Sequence, residues 1–232
     1  MGKKVRNDAA IIAVGLVCVM VVALFSANLL MLATGEYPSV GPGFSLFHVG
    51  VKVDSTTVLT TMNPAAHVDW WSKWMPQLEV WWWNVNGLMT QNPDGSYTIL
   101  ISHHAAIITN DGKNFLAAQI SGTAGTTASY ISLTTCTHTP AAGDHNLWNE
   151  ITDANGLARA GGSYTLTGTG TWTVAHTFTA SGAGYTNVQS DALDNAATHT
   201  NGTVICEDTF TPISLSGANG DKLTENWSLS GS

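Results

Sequence analysis

Hydrophobic and polar positions change rhythm along this chain. From Ala9 to Thr34 there is no rhythm: 26 residues, AAIIAVGLVCVMVVALFSANLLMLAT, run without a charge. About 20 apolar residues in a helix cross a bilayer core, so the run predicts a transmembrane helix in contact with lipid through residues 9–34. Lys3, Lys4 and Arg6 stand before it. The positive-inside bias places that tip in the cytoplasm and everything beyond Gly35 outside. A cleaved secretory signal has a shorter apolar core, about 7–15 residues. A pilin-like helix packed in a filament core is the remaining alternative.

Beyond the breakers Pro38 to Gly43, a period of two begins. Phe47, Val49, Val51 and Val53 alternate with polar or small residues, as a half-buried strand does. Such an N-terminal strand either pairs within its own sandwich or completes a neighbour's sheet by strand exchange. Asn86-Gly87 reads as a hairpin turn between strands Trp81–Val85 and Leu88–Gln91. Asn92 to Gly95 reads as a second turn, leading into a strand over Ser96–Ser102. One short helix is expected over Gly112–Ile120, capped by Asp111. Strand signals then recur over Ser129–Thr135, Leu157–Thr167, Thr171–Thr179, Thr186–Leu193, Thr203–Phe210 and Lys222–Leu229.

These elements predict a mostly β chain: an N-terminal transmembrane helix, then an antiparallel β-sandwich or jelly-roll-like domain with one short helix. Four parts follow: a basic tip and helix (1–35), a linker with the N-terminal strand (36–62), a Trp-rich segment with hairpins (63–104) and the sandwich (105–232).

Composition narrows the function. Of 232 residues only 10% are charged, and net charge is −8. Beyond residue 35 there are five basic against fifteen acidic side chains. That balance excludes a nucleic-acid binder and predicts an acidic exterior. Six of the nine Trp lie within the segment 63–83: Trp70, Trp71, Trp74, Trp81, Trp82 and Trp83. So much apolar area must be covered by subunit contacts, by lipid or by the domain's own core. The assembly interface is the preferred reading. Three consecutive Trp on a strand would put a ring on each face.

Cys136 and Cys206 both lie outside by this topology. They are candidates for a disulfide closing a loop of about 70 residues, worth about 3–5 kcal/mol. Two buried free thiols are the alternative. Asn201-Gly-Thr and Asn226-Trp-Ser have the form of glycosylation acceptors. The eight His include no H-E-x-x-H pair. His138 and His145, flanking Asp144, are the least poor cluster, and no metal site is expected. Loop carboxylates (Asp144, Glu150 and Asp153, with Asp191 near Asp194) leave calcium as the weak exception to an expectation of no cofactor. No nucleophile elbow or phosphate cradle is present, so no catalytic residues are named.

Several short stretches carry a resemblance. They are Ile108 to Gly112, Tyr130 to Leu133, Glu150 to Ala160, His176 to Ala180, Cys206 to Phe210 and Ser214 to Thr224. Over about residues 105–230 their order resembles β-rich structural proteins of tailed phages and archaeal viruses, and similar domains of cell-surface appendages. The resemblance implies a non-catalytic structural role in a virion, filament or surface layer. The expected function is therefore a membrane-anchored assembly subunit whose partners are other protein subunits. The alternative is a surface adhesin that binds a receptor or carbohydrate.

The charge bias makes a testable prediction about topology. Protease added to intact cells should remove the β domain. Digestion only after the cells are broken would reverse the orientation.

Overall fold

The computed structural model describes residues 51–67, 76–123, 125–152, 155–199 and 203–231. The expected membrane helix lies outside them, as do Phe47, Val49, Trp70, Trp71, Trp74, Asp153 and Asn201. Among the described residues no helix is long and apolar enough to cross a membrane.

Among the described residues eleven strands and two α-helices follow in chain order: β1 (Val51–Thr61), α1 (Pro76–Val85), β2 (Met89–Gln91), β3 (Tyr97–Ala105), β4 (Ile107–Ile108), α2 (Asn110–Ile120), β5 (Tyr130–Thr134), β6 (Ala160–Gly161), β7 (Ser163–Gly168), β8 (Thr171–Thr179), β9 (Tyr185–Asp194), β10 (Val204–Leu215) and β11 (Lys222–Gly231). A 3-10 turn, Pro64–His67, follows β1. One sheet has the order β2-β3-β1-β11-β8-β7 and the other β4-β10-β9-β5-β6. Every pairing is antiparallel. Leu59, Phe178 and Trp227 of the first sheet share one apolar cluster with Ile131, Leu193 and Ile205 of the second. The chain is thus mostly β, sandwich-like, with two antiparallel sheets.

Strand β1 shows how the alternation works. Val53, Ser55, Thr57, Leu59 and Thr61 are all buried while the residues between them are not. Val51 and Val53 pair with Gly231 and Leu229 of the chain's own β11. Of the two pairings open to these residues, this is the one within the sandwich. Because β1 sits between β3 and β11, the sandwich begins at β1 rather than at residue 105.

Three of the buried β1 side chains are hydroxyls because carboxylates face them. Ser55 donates to Asp191 Oδ2 (3.4 Å), Thr57 to Glu225 Oε2 (2.8 Å) and Thr61 to Asp221 Oδ1 (2.7 Å). The acidic exterior expected from composition is accordingly corrected. Asp191, Asp194, Glu207, Asp208, Asp221 and Glu225 are all buried. Burial pushes Asp191 well above the ordinary carboxylate range, and the Asp208 charge adds to it. Burial does the same to Glu225, helped by the charge of Asp191. Ser55 and Thr57 satisfy one oxygen of each, and Asp191 Oδ1 and Glu225 Oε1 have no hydroxyl or N–H donor; a proton kept on one carboxyl is what burial of the two together favours. Burial also raises Asp208.

Two local expectations are corrected. Trp81, Trp82 and Trp83 lie on helix α1, not on a strand. Pro76 suits the first helical position, where its missing N–H has no partner to lose. Asn86-Gly87 ends this helix instead of turning a hairpin. Leu88 N–H donates to Trp83 O (2.8 Å) and Gly87 N–H to Asn84 O (3.2 Å), with Gly87 at φ 69°. That is a Schellman cap, which needs the same positive φ as a hairpin turn. The cap of α2 is Thr109, whose hydroxyl accepts from Gly112 N–H at 2.8 Å; Asp111 sits in the first turn. A Cβ on Gly112 would meet Ile205 O at 2.1 Å, so only glycine lets α2 seat this closely on β10.

A dependence of stability on pH follows from the interior. Carboxyls raised in the fold hold protons that the unfolded chain releases. Their contribution is whole below the ordinary carboxylate pKa of about 4. It is lost as pH rises toward the raised values. Urea midpoints should therefore fall between pH 5 and pH 8, and Asp191→Asn should flatten the trend. A midpoint that rises over this interval would contradict the protonated pair.

Candidate functional site

The outer face of the five-stranded sheet is covered by a loop. The chain leaves β5 after Thr134 and runs from Thr135 to Thr152 with only one bridge, Thr134 to Glu150. Ordered segments of this length without their own secondary structure are uncommon and often functional. Backbone bonds pin the loop down: Ile151 N–H to Leu133 O (2.8 Å), Val204 N–H to His145 O (3.2 Å) and Asn110 N–H to Ala142 O (2.7 Å). Leu147, fully buried, packs on Ala192 of β9 and Val204 of β10.

Two ionic groups form beneath this cover. In the first, Asp144 Oδ2 lies 2.8 Å from His138 Nε2 and accepts Ala141 N–H at 2.7 Å. Glu207 of β10 completes it: one ligand-capable atom from each of His138, Asp144 and Glu207 lies within 4.8 Å of the others. Burial works to raise Asp144, but the His138 ring and the Ala141 N–H outweigh it and hold the carboxyl below its ordinary value. Glu207 is pushed up to about 7 by burial and by the charge of Asp144. The His138 ring stacks on Trp148, centroids 5.4 Å apart at 27°.

The second group centres on Arg159. Its Nε donates to Glu150 Oε1 (2.8 Å) and its Nη2 to Glu150 Oε2 (2.6 Å), a bidentate fork. Nη2 also lies 3.2 Å from Asp194 Oδ1, and Nη1 donates to Ala196 O at 3.0 Å. His199 Nδ1 meets Glu150 Oε2 at 2.6 Å, and Ser132 donates to Asp194 Oδ2 at 2.6 Å. Burial raises Asp194 to about 7, against the pull of the Arg159 charge and the Ser132 hydroxyl. A shallow pocket of about 480 Å³ opens beside both groups, lined by residues 143–150 and His199. His145 caps its rim by an ion pair with Asp111, whose hydrogen bond and charge raise the His145 pKa.

Sequence-named residues are placed as follows. The loop carboxylates do not converge on one ion: Asp144 faces His138, whereas Glu150 is held by Arg159 and His199. Cys136 and Cys206 are free thiols, the other of the two readings open to them, with Cys206 buried and Cys136 partly exposed. Strand β9 stands between β5, just before Cys136, and β10, which carries Cys206. Two strand spacings of about 4.8 Å exceed the roughly 7 Å reach of a disulfide. Burial raises the Cys206 thiol further out of reach of ionisation. Asn226 lies at mid-strand in β11 between β1 and β8, not on the surface loop a glycan acceptor favours. Trp81 is 57% exposed, while Trp83 packs on the main core. Glu207 and Arg159 were not named from sequence, because no spacing motif links them to the loop.

A third set has the composition of a nucleophile–base–acid triad: Thr61, His67 and Asp221. The geometry does not fit that chemistry. Thr61 aims its proton at Asp221, and both Thr61 (3.1 Å) and Asp221 (3.2 Å) meet the same ring nitrogen, Nε2. A relay needs the acid on the opposite nitrogen. The set instead ties the 3-10 turn to the sandwich.

No protein-family model, curated protein or solved structure matches the chain.

The Arg159 group makes a stability prediction. Arg159→Ala leaves two buried carboxyls without their cation and should cost about 3–5 kcal/mol in urea denaturation. A loss below about 1 kcal/mol would mean that the pair is not buried as described.

Proposed function

We propose that the protein is a non-catalytic, membrane-anchored structural subunit that assembles with further copies of itself outside the cell. The observation that carries this reading is an asymmetry among sheet edges. Three of the four edges are strands of two or three residues, β2, β4 and β6, too short to template much pairing. The fourth, β7, has six residues, all exposed. It carries no charge and no proline, and its only irregularity is a register shift between Leu166 and Gly168. Tyr164 and Leu166 on it are 61% and 67% exposed. Proteins that stay apart blunt such edges with charges or prolines; this one offers main-chain groups and two anchoring side chains.

In this reading a strand from a second copy pairs with β7. The alternating segment ahead of β1, with Phe47 and Val49, has the pattern such a donor needs. Exposed Trp81 on α1 supplies further contact area. The uncharged run 9–34 anchors the chain with its basic tip in the cytoplasm. The resemblance of short stretches within residues 105–230 to phage, archaeal-virus and surface-appendage proteins is in keeping with the same role.

One observation favours a second reading, a glycan-binding module. Trp148, 57% exposed, lines the shallow loop pocket, where a sugar ring could stack.

Leu166→Lys separates the two. At an exposed position it should change monomer stability by less than about 0.5 kcal/mol. In detergent the assembled species should fall to monomer by light scattering. An assembly of unchanged size would overturn the proposal. Glycan binding lost on Trp148→Ala, in a protein that is monomeric throughout, would establish the second reading instead.

A further inference from the structure

We propose that His138, Asp144 and Glu207 form a binding site for one divalent transition ion, best matched by Zn²⁺. The inference does not depend on the assembly reading.

The geometry supplies one nitrogen and two oxygen donors, all within 4.8 Å of one another. The independent observation is Glu207. Its residue is 0% exposed, and neither carboxylate oxygen has a hydrogen-bond partner. Leaving a buried carboxylate without donors is costly, more so than leaving a neutral group. Among the described residues every other buried acid has at least one oxygen met by a hydroxyl or a backbone N–H: Asp191 by Ser55, Asp194 by Ser132, Asp208 by its neighbour Thr209, Asp221 by Thr61 and Glu225 by Thr57. Glu207 faces only a second carboxylate, Asp144, and a ring that already meets Asp144. A cation between the three relieves both acids at once.

The donor set selects the ion. Calcium and magnesium prefer all-oxygen shells of six or more ligands. An imidazole with two carboxylates suits borderline ions, zinc above all, with a fourth position left for water. The supporting contacts are those a metal site uses. Ala141 N–H holds Asp144 Oδ2 at 2.7 Å, and the Trp148 ring fixes the plane of His138. Side-chain exposures of 24% for His138 and 12% for Asp144 leave a way in from solvent. Two ligands come from the loop and one from β10, so a bound ion staples the loop to the sheet.

The test uses the full-length protein in detergent after stripping with EDTA. Calorimetric titration with ZnCl₂ should show one ion per chain and a raised melting temperature. CaCl₂ and MgCl₂ should show neither. CoCl₂ should give the visible absorption of a four-coordinate site. Glu207→Gln, nearly isosteric, and His138→Ala should each weaken Zn²⁺ binding by at least about tenfold. His138 is partly exposed, so its variant keeps the test valid if Glu207→Gln fails to fold. Absence of Zn²⁺ uptake would overturn the proposal. So would uptake that survives His138→Ala, uptake abolished only by His145→Ala, or calcium bound as tightly as zinc.

Discussion

A carboxylate taken into a protein interior needs a donor, a cation or a proton, and this small sandwich takes in six. Among the described residues five of them are answered, and Glu207 is not. Asp191 and Glu225, facing one another across the gap between the sheets, each take a hydroxyl, and burial raises both so that protons are held on the pair. Asp194 shares the Arg159 guanidinium with Glu150. Asp221 is met by the Thr61 hydroxyl, the His67 ring and the Ser216 N–H. Asp208 lies 3.5 Å from the His104 ring. These answers dictate much of the architecture. They explain why β1 is rich in buried hydroxyls, and why a long loop must lie over the outer face of β9 and β10.

The same constraint explains what could be read from the sequence. Strand positions were legible because a period of two survives even when the buried member is Thr or Ser, as in β1 and β11. Strands β8 and β9 fall within a residue or so of the expected spans for the same reason. The placement of charge was not legible. Charge alone assigns Asp191 and Glu225 to solvent, whereas alternation puts Glu225 in phase with Leu223, Trp227 and Leu229 and Asp191 in phase with Leu193; the hydroxyls of Ser55 and Thr57, far away in the chain, are what meet them there. Asn86-Gly87 misled because a hairpin turn and a Schellman cap demand the same left-handed glycine. The Trp run misled because aromatic residues favour strands, whereas Pro76 and Gly87 punctuate a helix. Of the loop site, His138 and Asp144 stood out by proximity. Glu207 did not, since strand order, not spacing, brings it there.

The division of labour between the two sheets gives the functional picture its shape. The five-stranded sheet is closed at both edges by two-residue strands and roofed by the loop, with its ionic groups beneath. Among the described residues the six-stranded sheet keeps one long edge bare. One half thus has short edges and a covered outer face, and the other, among the described residues, a long uncharged edge. The proposed assembly rests on that edge, and the shallow pocket at the loop lies on the other sheet.

The central claim is that the interior is stabilised by carboxyls that keep their protons. Carboxyl ¹³C NMR titration tests it most directly. The Asp191–Glu225 pair should hold a proton well above the pH at which Asp94 has lost its own; hydrogen bonds from the Ser96 hydroxyl and backbone N–H hold Asp94 below the ordinary value. If Asp191 and Glu225 both titrate in the ordinary carboxylate range alongside Asp94, the account of the sandwich interior is wrong.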